Sequence, residues 1–246
     1  MLRAQNLSLP RFATTGIGGA PSPDFARLTD IPFLVELVRD GETLVSGAAP
    51  SCWPAFLAEL TVRRPRFAKV QVPGPLTQPR DQTPRVLEYV RALRAIDVTP
   101  LVFIDEPMLG AGRSPEALAP LRALLAREGA LSGVHCCGQA DWPALLAMDF
   151  DVVSFDLRLS LDALVEDRAS WRRFVDSGAW LAAGIIPTAP NEAPYKIDEL
   201  CAALVSAIGE FDRVLLTPAC GLGLFSDAEA RRVLRELREA QELLAR

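Results

Sequence analysis

The single histidine of this 246-residue chain lies in the stretch GVHCCGQADW (133–142), followed directly by two of its five cysteines. Side chains alternate faces along an extended strand, so His135 and Cys137 point one way and Cys136 the other. The unit is therefore H-x-C rather than a cysteine pair. Zinc takes imidazole nitrogen at ~2.0–2.1 Å and thiolate sulfur at ~2.3 Å. An H-x-C plus one distant cysteine makes a Cys2His set whose fourth position is open to an acidic side chain, water or substrate. Cys220, in TPACGLG (217–223), can supply the distant thiolate. The competing reading is packing, because cysteine is among the most often buried residue types. A disulfide framework is excluded, since the cysteine count is odd, the chain is long and adjacent cysteines do not readily bridge each other. Cys52 and Cys201 read as packing residues.

Short apolar runs alternate with longer amphipathic segments, which is the pattern of β/α units. Strands are predicted at 13–17, 32–36, 67–72, 100–105, 132–137, 151–156, 180–186 and 213–217. Helices are predicted at 53–61, 82–95, 115–128, 141–147, 160–176, 195–209 and 226–245. This order predicts an α/β fold, a single (β/α)8 TIM barrel forming one domain over residues 1–246. An open doubly wound sheet is the structural rival, but Pro21 and Pro23 interrupt the helix that would have to follow the glycine-rich GIGGAP (16–21).

In a barrel, chemistry sits at the C-terminal ends of the strands. Asp105 and Glu106 end the fourth predicted strand, His135 and Cys137 the fifth and Asp156 the sixth, while Cys220 follows the eighth. That shared rim favours metal binding over packing for His135, Cys137 and Cys220. Glu106, ahead of Pro107, reads as a structural carboxylate. Asp141 reads as a helix N-cap and Trp142 as packing beneath that helix.

Composition narrows the function classes. The net charge is −5 and no basic block occurs, so there is no electrostatic footprint for nucleic acid or an anionic membrane surface. No apolar run approaches the ~20 residues that span a bilayer. The N-terminal MLRAQNLSLPRF lacks the apolar core of a signal peptide, and a cytoplasmic location is expected.

Several stretches carry a family likeness, in order and over nearly the whole chain: ATTGIGGAPSPD (13–24), VPGPLT (72–77), FIDEPML (103–109), GVHCCGQADW (133–142), DVVSFD (151–156), GIIPTAPN (184–191) and LLTPACGLG (215–223). Together they resemble the catalytic barrel of cobalamin-independent methionine synthase, within the wider group that includes uroporphyrinogen decarboxylase, and especially its small stand-alone members. The resemblance implies that His135, Cys137 and Cys220 bind a catalytic Zn2+ and that Asp105 contacts the substrate's amino group. The family's other zinc ligand is a glutamate, and at the corresponding strand end this chain has Asp156. Gly19 occupies a substrate-binding position where the family carries serine, and the family's second substrate-binding glutamate finds no match. The N-terminal half of a full-length synthase, with much of its folate-binding apparatus, has no counterpart.

The implied activity is zinc-dependent methyl transfer to a small thiol, homocysteine-like or coenzyme M-like, held as a zinc thiolate. The implied methyl donor is a corrinoid protein partner or a folate. Two alternatives stand beside it: a metal-free uroporphyrinogen decarboxylase-like enzyme, and a non-catalytic zinc-binding regulatory barrel. The arginines lie mostly in helical segments (Arg91, Arg94, Arg122, Arg231, Arg232) rather than at strand ends, which weighs against a site for several carboxylates.

Overall fold

A computed structural model describes residues 9–40, 43–46, 52–189 and 193–246. Its strands are β1 (Leu37–Asp40), β2 (Thr43–Ser46), β3 (Phe67–Pro73), β4 (Thr99–Asp105), β5 (Leu131–Cys136), β6 (Val152–Asp156), β7 (Trp180–Ile186) and β8 (Val214–Pro218). Its α-helices are α1 (Cys52–Arg63), α2 (Thr83–Ala95), α3 (Ala119–Arg127), α4 (Trp142–Leu146), α5 (Leu157–Glu166), α6 (Arg168–Ser177), α7 (Ile197–Ile208) and α8 (Asp227–Leu244). Strands β3 to β8 form one parallel sheet in sequential order. With helices between the strands, this is the predicted (β/α)8 barrel architecture.

The first two predicted strands are each reduced to a single parallel bridge, Thr14 to Leu216 and Phe33 to Lys69. The Ile31 amide donates to Thr14 O at 3.0 Å and the Leu34 amide to Lys69 O at 2.8 Å, so this segment spans the gap between β8 and β3. Gly16 in the first and Pro32 in the second accompany the reduction, because glycine weakens strands and proline removes a ladder donor. The hairpin β1–β2, antiparallel with Leu37 opposite Ser46, was not anticipated. The predicted helix at 160–176 is two helices, because Asp167 leaves the helical conformation and its carboxylate accepts from Ala169 N at 3.1 Å, capping α6.

Strand alternation sorts the sheet into two faces. Phe67, Leu101, Phe103, Leu131, Val152 and Trp180 belong to the cluster that fills the barrel interior. Val70, Val102, Val134, Cys136 and Phe155 belong to the larger cluster under the helices. Continuing the inward alternation toward the C-terminal mouth reaches Lys69 and Gln71 on β3, Asp105 on β4, His135 on β5, Ser154 and Asp156 on β6, and Thr217 on β8. The interior thus changes from apolar at its base to polar at its mouth. Helix α8 closes the ring of helices, burying Ala230, Val233, Leu234, Leu237 and Ala240 behind a Ser226–Glu229 capping box. No described helix is long and apolar enough to cross a membrane.

Candidate metal centre

His135 and its neighbours are placed by sheet register. Asp105 is the cross-strand partner of His135, and His135 is the partner of Ser154, so three polar side chains stand in a row across β4, β5 and β6. The ring of His135 is buried, and its Nδ1 lies 2.9 Å from Ser154 Oγ. Its Nε2 is sealed from solvent and makes no hydrogen bond. Leaving a buried polar atom unpaired costs ~1–3 kcal/mol, so such an atom calls for a partner.

Cys137 follows at the mouth, and Cys220 arrives from the loop after β8. Gly184 lets that loop approach, since a Cβ there would stand 2.7 Å from Ala219 Cα and 2.6 Å from Phe155 O. On its other side the loop seats on the N-terminal segment, with the Leu222 amide donating to Gly19 O at 2.7 Å. A Cβ at Gly19 would lie 3.1 Å from Gly223 N, and one at Gly221 would lie 3.1 Å from Gly19 N and from Ile17 O. Glycine at 19, where the resembled family carries serine, therefore accompanies a backbone-to-backbone contact that brings Cys220 to the mouth.

One ligand atom from each of His135, Cys137 and Cys220 lies within 4.8 Å of the other two, and this is the one group of its kind among the described residues. Tetrahedral bonds of ~2.0–2.3 Å separate ligand atoms by roughly 3.3–3.8 Å, so the cluster can close on an ion with small side-chain movements. Cys220 beside it, and after it the His135 imidazole, lower the Cys137 thiol to about 4. Nearness to Cys137, together with burial, raises Cys220 well above the ordinary thiol range. Imidazole nitrogen and two thiols, one poised as thiolate, are the donor types of a Cys2His zinc site, and the unpaired Nε2 fits a ligand role.

The remaining acidic residues divide by what they touch. Asp105 has one oxygen, Oδ1, buried and without a hydrogen-bond partner. Burial raises its pKa against the opposing pull of Lys69 and His135. Asp156 is not a member of the 4.8 Å group. Its carboxylate accepts from Arg158 N at 2.9 Å and Leu159 N at 3.2 Å, which caps α5 and starts that helix at Leu157. Glu106 is fully buried and accepts from Leu76 N, Thr77 N, Thr77 Oγ1 and Met108 N, tying the loop after β3 to the end of β4. Asp141 caps α4 through Ala144 N at 3.1 Å, and Trp142 is buried with its ring edge-on to Phe155.

Beneath the mouth lies a polar layer that composition and motif did not single out. Lys69 has no exposed surface, donates to Gln71 Oε1 at 2.8 Å and stands 4.5 Å from the centre of the Phe103 ring. Gln71 in turn donates to Leu34 O at 2.6 Å. Desolvation lowers the Lys69 pKa to about 8, against the stabilising charges of Asp105 and Glu36. Glu36, buried and bonded by the Tyr89 hydroxyl, is raised by its own desolvation. A signal for Lys69 existed: in FAKVQV it shares a face with Gln71 inside an otherwise apolar strand, and lysine is rarely buried unless partnered.

A parallel β/α barrel with a His–Cys–Cys cluster at its C-terminal mouth is the class that fold and site define. No protein-family model matches the chain, and no curated protein matches it. Among solved structures, it is similar to a B12-independent methionine synthase from a Shewanella species in complex with selenomethionine, at 14% identity and TM-score 0.54, covering 87% of this chain and 70% of that one. It is also similar to a β-L-arabinopyranosidase from Geobacillus stearothermophilus in complex with arabinose, at 9% identity and TM-score 0.50, covering 95% and 76%. At these identities the likeness concerns the fold.

Proposed function

We propose that this protein is a zinc-dependent S-methyltransferase acting on a small thiol. The observation that carries the reading is the meeting of one ligand atom each from His135, Cys137 and Cys220 within 4.8 Å at the barrel mouth, together with the unpaired, buried Nε2 of the chain's only histidine. His135, Cys137 and Cys220 would hold the ion, a neutral nitrogen and two thiolates balancing a divalent cation. Zinc held there would act as a Lewis acid toward an incoming thiol, whose free pKa of ~8.5 leaves it mostly protonated at neutral pH. The rest falls to this chain's own groups. Asp105 Oδ1, unpaired at the adjacent register position, would accept a hydrogen bond from the acceptor's ammonium or other donor and orient it. Asp156 remains the proposed fourth contributor, in competition with its role as the cap of α5. A corrinoid protein or a folate would supply the methyl group, and the cytoplasm is the proposed compartment.

Zinc per chain after exhaustive dialysis under reducing conditions tests this reading. We expect near-stoichiometric zinc in the wild type and a loss of most of it in Cys220→Ala. Reduced wild-type protein without bound zinc would remove the mechanism.

A further inference from the structure

The mouth holds a buried hydroxyl that neither the H-x-C motif nor the distant cysteine accounts for. Ser154 has no exposed surface, is the register partner of His135 and places Oγ 2.9 Å from Nδ1. Both side chains are confined by flanking strands, β5 between β4 and β6, and β6 between β5 and β7. Ring and hydroxyl therefore hold each other in one arrangement, in which Nδ1 is occupied and Nε2 is left bare.

We infer that Ser154 is a positioning residue that keeps Nδ1 off the metal and presents Nε2 as the ligand atom of His135; this rests on the zinc reading above. The chemistry follows from the imidazole. A neutral ring that gives Nε2 to a metal must carry its proton on Nδ1, and that N–H needs an acceptor in a place closed to water. Ser154 Oγ can accept it. A hydroxyl suits this site better than the carboxylate often found behind a metal-bound histidine. Two thiolates already balance a divalent ion, and a carboxylate at 154 would add an uncompensated buried charge. The outer partner of a ligating histidine commonly accounts for ~10–100-fold in metal affinity.

The test compares wild type, Ser154→Ala and Ser154→Thr by competition for zinc with a chromophoric chelator. Ser154→Ala is expected to weaken zinc binding ~10–100-fold, and Ser154→Thr, which keeps the hydroxyl, to recover most of that loss. Unchanged thermal stability of the metal-free variants separates positioning from a folding defect. Because there is one histidine, nitrogen NMR of the labelled, zinc-loaded protein reads the ligand atom without assignment ambiguity, and Nε2 is expected. Zinc affinity in Ser154→Ala within about twofold of wild type, or ligation through Nδ1, overturns the inference while leaving the zinc reading in place. Failure of the wild type itself to bind zinc overturns both, and is recognised by that fact.

Discussion

At the scale of single residues, burial decides what each polar group near the mouth can do. Glu106 is a carboxylate with no exposure whose four hydrogen-bond donors all come from protein, three of them in the 76–77 and 108 backbone. Glu106→Ala removes the acceptor of three partly buried amides and the Thr77 hydroxyl and leaves a cavity, so we expect a loss of ~2–4 kcal/mol in denaturant unfolding. Lys69 is the opposite case, a buried cation with a lowered pKa of about 8. Below pH 8 both folded and unfolded chains carry the Lys69 charge, and the native state bears its full burial penalty. As pH rises from about 8 toward the free lysine value of ~10.4, the native lysine is already neutral while the unfolded one still holds its proton, so this group's penalty is relieved. Lys69→Met should therefore shift stability relative to wild type by roughly 2.5 kcal/mol between pH 7 and pH 10, with wild type gaining as pH rises. A pH-independent difference between the two proteins would refute that assignment.

Elements explain which parts of the site were legible in the sequence. His135, Cys137 and Cys220 stand out because their residue types are rare and strand alternation alone puts the first two on one face, with Cys136 turned to the helix side. Ser154 was not readable in the same way, since serine is common and its meaning depends on facing His135 across the β5–β6 register. Glu36 ends the second predicted strand, 32–36, but its meaning depends on partners from other elements, the Tyr89 hydroxyl and the Lys69 charge, which no motif joins to it. Asp156 precedes the predicted helix start by several residues, and its capping of α5 accounts for the earlier start. The Asp40–Gly41 dipeptide was an available hairpin signal for β1–β2, in a region between the strand at 32–36 and the helix at 53–61 for which no element is predicted. Capping also yields a test at this scale. Ser226→Ala removes the hydroxyl that accepts from Glu229 N, while the Ser226 backbone N–H keeps its bond to the Glu229 carboxylate, and should cost ~1 kcal/mol, read as a lowered Tm.

For the molecule as a whole, the closure of the ring joins the segment around residues 12–30 to α8. Asp30 accepts from Thr14 N and Thr14 Oγ1 at 2.9 Å each, and from Gln241 Nε2 at 2.7 Å. The same Gln241 amide donates to Phe12 O at 3.0 Å. Burial would raise the Asp30 pKa, but these bonds and Arg238 together leave it lowered. A carboxyl lowered in the native state contributes stability that is present above its unfolded pKa and lost as pH falls through the folded value. Asp30→Asn should therefore be less stable than wild type at neutral pH, with the gap narrowing below about pH 4 in acid titrations of Tm.

The seating of the 219–223 loop on residues 17–19 has a consequence for biosynthesis. Two members of the cluster emerge from the ribosome at positions 135 and 137, whereas the third comes only after β8, and its loop rests on backbone synthesised before either of them. A nascent chain ending before residue 220 holds only two of the three members of the cluster. If the cluster holds zinc as proposed, its retention would require β8 and the loop after it, so that a chain cut short of residue 220 would not keep the ion.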